Sequence, residues 1–80
     1  MNYEVVWRPE AEEELAQIWP DAADRNAVAG AADWFDAALA RDPFDVGEAI
    51  DPPSRMAFVD PLALVFDVFP QTHQVLVKTV

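Results

Sequence analysis

Residues 55–80 read RMAFVDPLALVFDVFPQTHQVLVKTV, and the fold turns on them. Asp60-Pro61 and Pro70-Gln71-Thr72 are turn signals that cut this stretch into three short runs rich in Val, Leu and Phe, a β-meander. Upstream, residues 2–7 favour strand by content, with Tyr3, Val5 and Trp7 alternating toward one side. Pro9 suits a first helical turn, and Glu10, Glu12, Glu13 and Glu14 lie where the helix dipole favours negative charge. Ala11, Leu15, Ile18 and Trp19 then fall on one face of a short amphipathic helix closed by Pro20. A second helix starts with Asp21 or Asp24 as N-cap and runs to about Ala40, with Val28, Ala31, Ala32, Phe35 and Leu39 as its buried stripe. The order is β-α-α-β-β-β, an α+β pattern of four strands and an αα-hairpin in 80 residues.

Composition narrows the function classes. Eighty residues make one domain, residues 1–80, which buries only about 60–65% of the surface its unfolded chain exposes, so stability is modest unless a partner covers more. Without cysteine, neither a disulfide framework nor a thiolate zinc site is available, and the reducing cytoplasm is the natural compartment. The N-terminus enters a strand pattern directly, with no basic region, long apolar segment or small-residue cleavage site, which predicts neither an export signal nor membrane insertion. A formal net charge of −10 opposes a phosphate backbone, so direct DNA binding by this chain alone is not expected. Residues 1–8 and 55–80 each sum to zero, and residues 9–54 carry the whole acidic excess. Solvated helix faces or adaptation to salt are alternative explanations of that excess.

Residues 41–54 hold Pro43, Gly47, Pro52 and Pro53 and read as a loop, tied down by Phe44 and Ile50. Gly30, which costs about 1 kcal/mol against alanine inside a helix, suggests a close approach of the two helices. Trp34 falls off the buried stripe, between Asp33 and Asp36, and is either a partner-contact residue or packed against the loop that follows. In the meander, period-2 alternation puts Met56, Phe58, Leu62, Leu64, Phe66 and Val68 under the helices. Arg55, Ala57, Ala63, Val65, Asp67 and Phe69 then point to the other side. With Val75 and Val77 inward, Leu76 and Lys78 turn outward, and the first strand sends Glu4, Val6 and Arg8 the same way. Arg8, Arg55 and Lys78 thus share an open face with Val65, Phe69 and Leu76, a mixture of cations and hydrocarbon that marks an interface. A last strand with a free edge would also offer main-chain groups for strand addition. No cofactor or metal is expected: a helix fans its glutamates apart, Gly30 and Gly47 are too isolated to cradle phosphate, and His73 is the one histidine.

A family resemblance runs along nearly the whole chain. It rests on the strand leading into Trp7-Arg8-Pro9-Glu10-Ala11-Glu12-Glu13-Glu14-Leu15, on Ile18-Trp19, and on Ala31-Ala32-Asp33 with Asp36 and Leu39. It continues through Pro43, Gly47-Glu48, Arg55 at a strand start, Pro61-Leu62 with Val65-Phe66, and Val75-Leu76-Val77-Lys78. In order and spacing these resemble the RelE/ParE superfamily of type II toxins, also called plasmid-stabilisation proteins. The resemblance implies two helices packed on one face of a curved, largely antiparallel sheet. It also implies growth inhibition, neutralised by a cognate antitoxin protein that wraps the toxin. RelE-like members cleave mRNA in the ribosomal A site, whereas ParE-like members poison DNA gyrase, so ribosome and gyrase are both implied targets.

RNA cleavage without a metal needs a general acid or base near the 2′-hydroxyl and fixed cations for the charge developing on phosphorus. Arg55 matches a basic residue of the cleaving members, and Lys78 is a candidate second catalytic cation. The strand position where those members place another basic residue is Ala63, and their basic and aromatic C-terminal extension would begin after Val80. Arg8, Val65, Phe69, Leu76 and Trp34 are the candidate partner-binding residues. Two readings stay open: a toxin that arrests growth, and a catalytically inactive toxin-like module that only binds a protein partner. Toxins of this family are usually basic and their antitoxins acidic, so the acidic helices predict a partner with a basic segment lying across them.

Overall fold

The structure is a computed structural model and describes residues 2–80. In chain order the elements are β1 (Glu4–Trp7), α1 (Pro9–Asp21), α2 (Arg25–Arg41), a 3₁₀ turn (Pro43–Asp45), β2 (Glu48–Asp51), β3 (Ser54–Val59), β4 (Leu62–Phe69) and β5 (Gln74–Thr79). The sheet therefore has five strands rather than four, ordered β1-β5-β4-β3-β2. The additional strand, β2, lies inside the segment that reads as loop. All four of its residues are exposed, so it carries no alternation of polar and apolar side chains to announce it. β5 runs parallel to β1 and antiparallel to β4; the long connection that parallel pairing requires is the whole chain between them, both helices and β2 to β4 included. The last strand is thus an inner one, and the free edges belong to β1 and β2.

Both helices follow local chemistry. Asp24 caps α2, its Oδ1 accepting the Ala27 N–H at 3.1 Å, an interaction worth about 1 kcal/mol. Asp21 instead ends α1, and Pro20 lies within the last turn of that helix. Val28, Ala31, Phe35, Ala38 and Leu39 of α2 join Ala11 of α1 in one buried cluster with Leu62, Leu64, Phe66 and Val68 of β4 and Val75 and Val77 of β5. Trp19, placed on the buried face by its spacing, is 46% exposed. A Cβ on Gly30 would meet nothing within 4 Å. Helix proximity is therefore not the reason for that glycine. Among the described residues no helix is long and apolar enough to cross a membrane.

The phase of β3 is opposite to the expected one. The two-residue turn Asp60-Pro61 pairs Val59 with Leu62, which sets Phe58 opposite Ala63, Ala57 opposite Leu64, and Met56 opposite Val65. Directly paired residues share a face of the sheet. Leu62 and Leu64 are buried, so Val59 and Ala57 lie on the helical side, while Met56 and Phe58 face outward at 49% and 68% exposure. On the helical side Ala57 lies close to the backbone of Gly47: a Cβ added to Gly47 would come within 2.7 Å of the Ala57 Cβ.

Candidate functional site

The face of the sheet turned away from the helices is largely hydrocarbon. Strand register places Val6 beside Leu76, Met56 beside Val65, Phe58 beside Ala63 and Phe69 beside Gln74 on it. Val6 and Phe69 are about as exposed as Met56, at 40% and 39%, while Val65 and Leu76 are half-buried. Seven apolar side chains, the small Ala63 among them, on one open sheet surface form the kind of patch that marks an interface. An ion pair crosses it. Lys78 Nζ lies 3.6 Å from Asp67 Oδ1, and the same oxygen accepts the Ser54 hydroxyl. The amine is therefore held by a carboxylate that is itself only 14% exposed.

Arg55 is not on this face, because it follows the phase of β3. It sits opposite Phe66, and its guanidinium reaches three main-chain carbonyls. Nε donates to Val46 O at 3.2 Å, and Nη2 donates to Phe44 O at 3.2 Å and Gly47 O at 2.9 Å. The Phe44 ring centroid lies 6.0 Å from the same guanidinium. Arg55, with buried Pro43 and Val46, anchors the segment after α2. Phe44 and Ile50, the expected anchors, are 51% and 53% exposed. Arg55→Met should therefore lower stability by about 2–3 kcal/mol, the range for a charge-assisted hydrogen-bond set whose carbonyls lose their donor. Arg55→Lys should recover only part, since an ammonium cannot reproduce the planar fork. An unchanged urea midpoint in Arg55→Met would show that the three contacts contribute nothing.

The remaining candidates are dispersed. Arg8 follows β1 as the N-cap residue of α1 and pairs with Glu10 at 3.0 Å. Trp34 is 48% exposed on α2, with its ring edge-on to Phe35 at 5.4 Å. It belongs to the helical layer, so it does not join Val65, Phe69 and Leu76. His73 occupies the turn before β5 at φ 52°, packs edge-on to Tyr3 at 5.2 Å, and accepts the Glu4 N–H at its carbonyl. The expected trio of cations is thus broken up, with Lys78 on the open face, Arg8 at the strand end and Arg55 across the sheet. Met56 and Phe58 are the surface residues that alternation alone misplaced. The short Asp60-Pro61 turn, counted as a hairpin register, is the signal that finds them.

In fold the chain is similar to a chain of a solved structure, the toxin–antitoxin complex RelBE2 from Mycobacterium tuberculosis. The TM-score is 0.81 at 17% sequence identity, covering 99% of this chain and 88% of the matched one. At that identity the likeness is one of fold. No family model matches the chain, and no curated protein matches it.

Proposed function

We propose that this chain is the toxin member of a type II toxin–antitoxin pair in the cytoplasm. It arrests growth by gripping a protein target with the open sheet face, in the manner of a gyrase poison, and is neutralised when an antitoxin protein covers that face. The exposed apolar surface built by Val6, Met56, Phe58, Val65, Phe69 and Leu76 carries this reading. Hydrocarbon of this kind suits a protein surface and gives nothing to RNA phosphates. Stabilising a phosphorane-like transition state takes cations aimed at the reacting group. Arg55 is committed to three carbonyls and Lys78 to Asp67, which weighs against ribosome-dependent cleavage. Likeness in fold to a toxin–antitoxin complex supports the pairing.

Expression of the chain alone in a bacterium is expected to slow growth, and Met56→Asp with Phe58→Asp to relieve the arrest while circular dichroism shows a folded protein. Messenger RNA from arrested cells should carry no new codon-specific breaks. Normal growth at confirmed soluble expression would remove the toxin reading. The same commitment of Arg55 and Lys78 favours a second reading, an inactive module that only binds. In that case growth is normal, yet a neighbour-encoded protein copurifies and shields Met56 and Phe58.

A further inference from the structure

The helical side carries a second surface of different character. Ala16 on α1 and Ala29 and Ala32 on α2 are too short to close the gap between the helices, and a groove of about 490 Å³ opens there. Leu15, Trp19 and Val28 give it an apolar floor, and Glu12, Asp33 and Asp36 form an acidic rim. The rim is built rather than loose at one point: the Trp7 indole N–H donates to Asp36 Oδ1 at 2.8 Å. At the far end the Arg25 guanidinium stands 5.3 Å from the Trp19 ring. Residues 9–54, which supply almost the whole groove, hold twelve carboxylates against Arg25 and Arg41.

We infer that this groove docks a cationic amphipathic segment of a protein partner. The segment sets an apolar side chain between α1 and α2 and lays Lys or Arg along Glu12, Asp33 and Asp36. Charge complementarity selects this occupant over the alternatives. Nucleic acid is repelled by the same carboxylates. A second copy of the chain has no cationic segment to offer: Arg8, Arg55 and Lys78 are held by Glu10, by carbonyls and by Asp67, and Arg25 and Arg41 stand at opposite ends of α2. A helix laid in a groove meets it through anchors at i, i+3 or i+4, and i+7, a spacing that a floor of Leu15, Val28 and Trp19 can accept. The summed field of the acidic layer would steer such a segment from a distance. The inference concerns the helical face alone and stands whether or not the chain arrests growth.

The test uses the full chain and a synthetic peptide with leucine anchors at that spacing flanked by lysines. A twin peptide carries glutamate in place of every lysine. Tryptophan fluorescence and the NMR signal of the Trp19 indole report occupancy. The lysine peptide is expected to bind at roughly micromolar Kd and to weaken about tenfold between about 50 and about 500 mM salt. Glu12→Lys with Asp33→Lys, both at exposed positions, should cost at least about tenfold for the lysine peptide and admit the glutamate twin. Met56→Asp with Phe58→Asp should leave the affinity unchanged, which separates this groove from the open sheet face. Equal binding of both peptides, binding of neither up to about millimolar concentration, or sensitivity to the sheet-face variant instead of the rim variant would overturn the inference.

Discussion

Gly47→Ala is expected to remove about a third or more of the protein's stability. Gly47 sits at φ +67°, and a Cβ added there would lie 2.1 Å from the Met56 carbonyl oxygen and 2.7 Å from the Ala57 Cβ. The left-handed conformation alone costs an L-residue about 1–2 kcal/mol. The clash is the larger part, because the nearest atom is strand backbone and cannot rotate away. Relief requires lifting the start of β2 from β3, which weakens the Glu48–Met56 pairing and draws the Gly47 carbonyl away from Arg55, its donor at 2.9 Å. Together these place the loss on the order of 4 kcal/mol or more, in the range reserved for backbone strain and broken networks. At 80 residues the whole stability is roughly 4–12 kcal/mol. A thermal melt should show the midpoint falling by at least about 15 °C. A midpoint within a few degrees of the parent would mean that the Gly47 backbone is not seated on β3.

How far the sequence could be read depended on whether the deciding interaction was local. The helices were legible because caps and periodicity lie within a few residues: Asp24 bonds to Ala27, and Val28, Ala31, Phe35 and Leu39 recur at helical spacing. β4 was legible from the alternation of Leu62, Leu64, Phe66 and Val68 with Ala63, Val65, Asp67 and Phe69; the last strand is ambiguous in sequence, and the structure buries Val75 and Val77. β3 offered no such contrast. Met56, Ala57, Phe58 and Val59 are all apolar, so alternation defines two faces without saying which is inward, and only the pairing of Val59 with Leu62 across the turn decides. The misplacement of Arg55 follows from that phase, since nothing near it in sequence announces three carbonyls waiting on the helical side. β2 was hidden by its edge position, where backbone pairing to β3 suffices and side chains stay in solvent. The insertion of β5 between β1 and β4 is a long-range choice made by burial of Val75 and Val77 on a strand covered from both sides. Of the candidate site, the outward Val65, Phe69, Leu76 and Lys78 were accessible to sequence reading, and its two most exposed members, Met56 and Phe58, were not.

Phe66→Ala and Phe58→Ala should differ by several kcal/mol in stability although both aromatics were expected beneath the helices. Phe66 is fully buried and Phe58 is 68% exposed. Removing the Phe66 ring empties a site bordered by the other buried cluster residues. β4 is hydrogen-bonded on both sides, to β3 and β5, so its backbone cannot collapse into the void. A loss of about 3–5 kcal/mol follows for Phe66→Ala, against about 0.5 kcal/mol or less for Phe58→Ala, which gives up little buried area. Urea denaturation of the two variants with parent-like slopes checks both values. The comparison also bears on function, because Phe58 should matter where Phe66 does not: Phe58→Ala leaves a folded protein with a weakened grip on its partner and reduced growth arrest. If Phe58→Ala instead destabilises as much as Phe66→Ala, β3 presents its other face to the helices. The open surface then loses its most exposed aromatic and Arg55 returns to the solvent side. A face carrying both Arg55 and Lys78 would suit RNA phosphates as well as a protein surface.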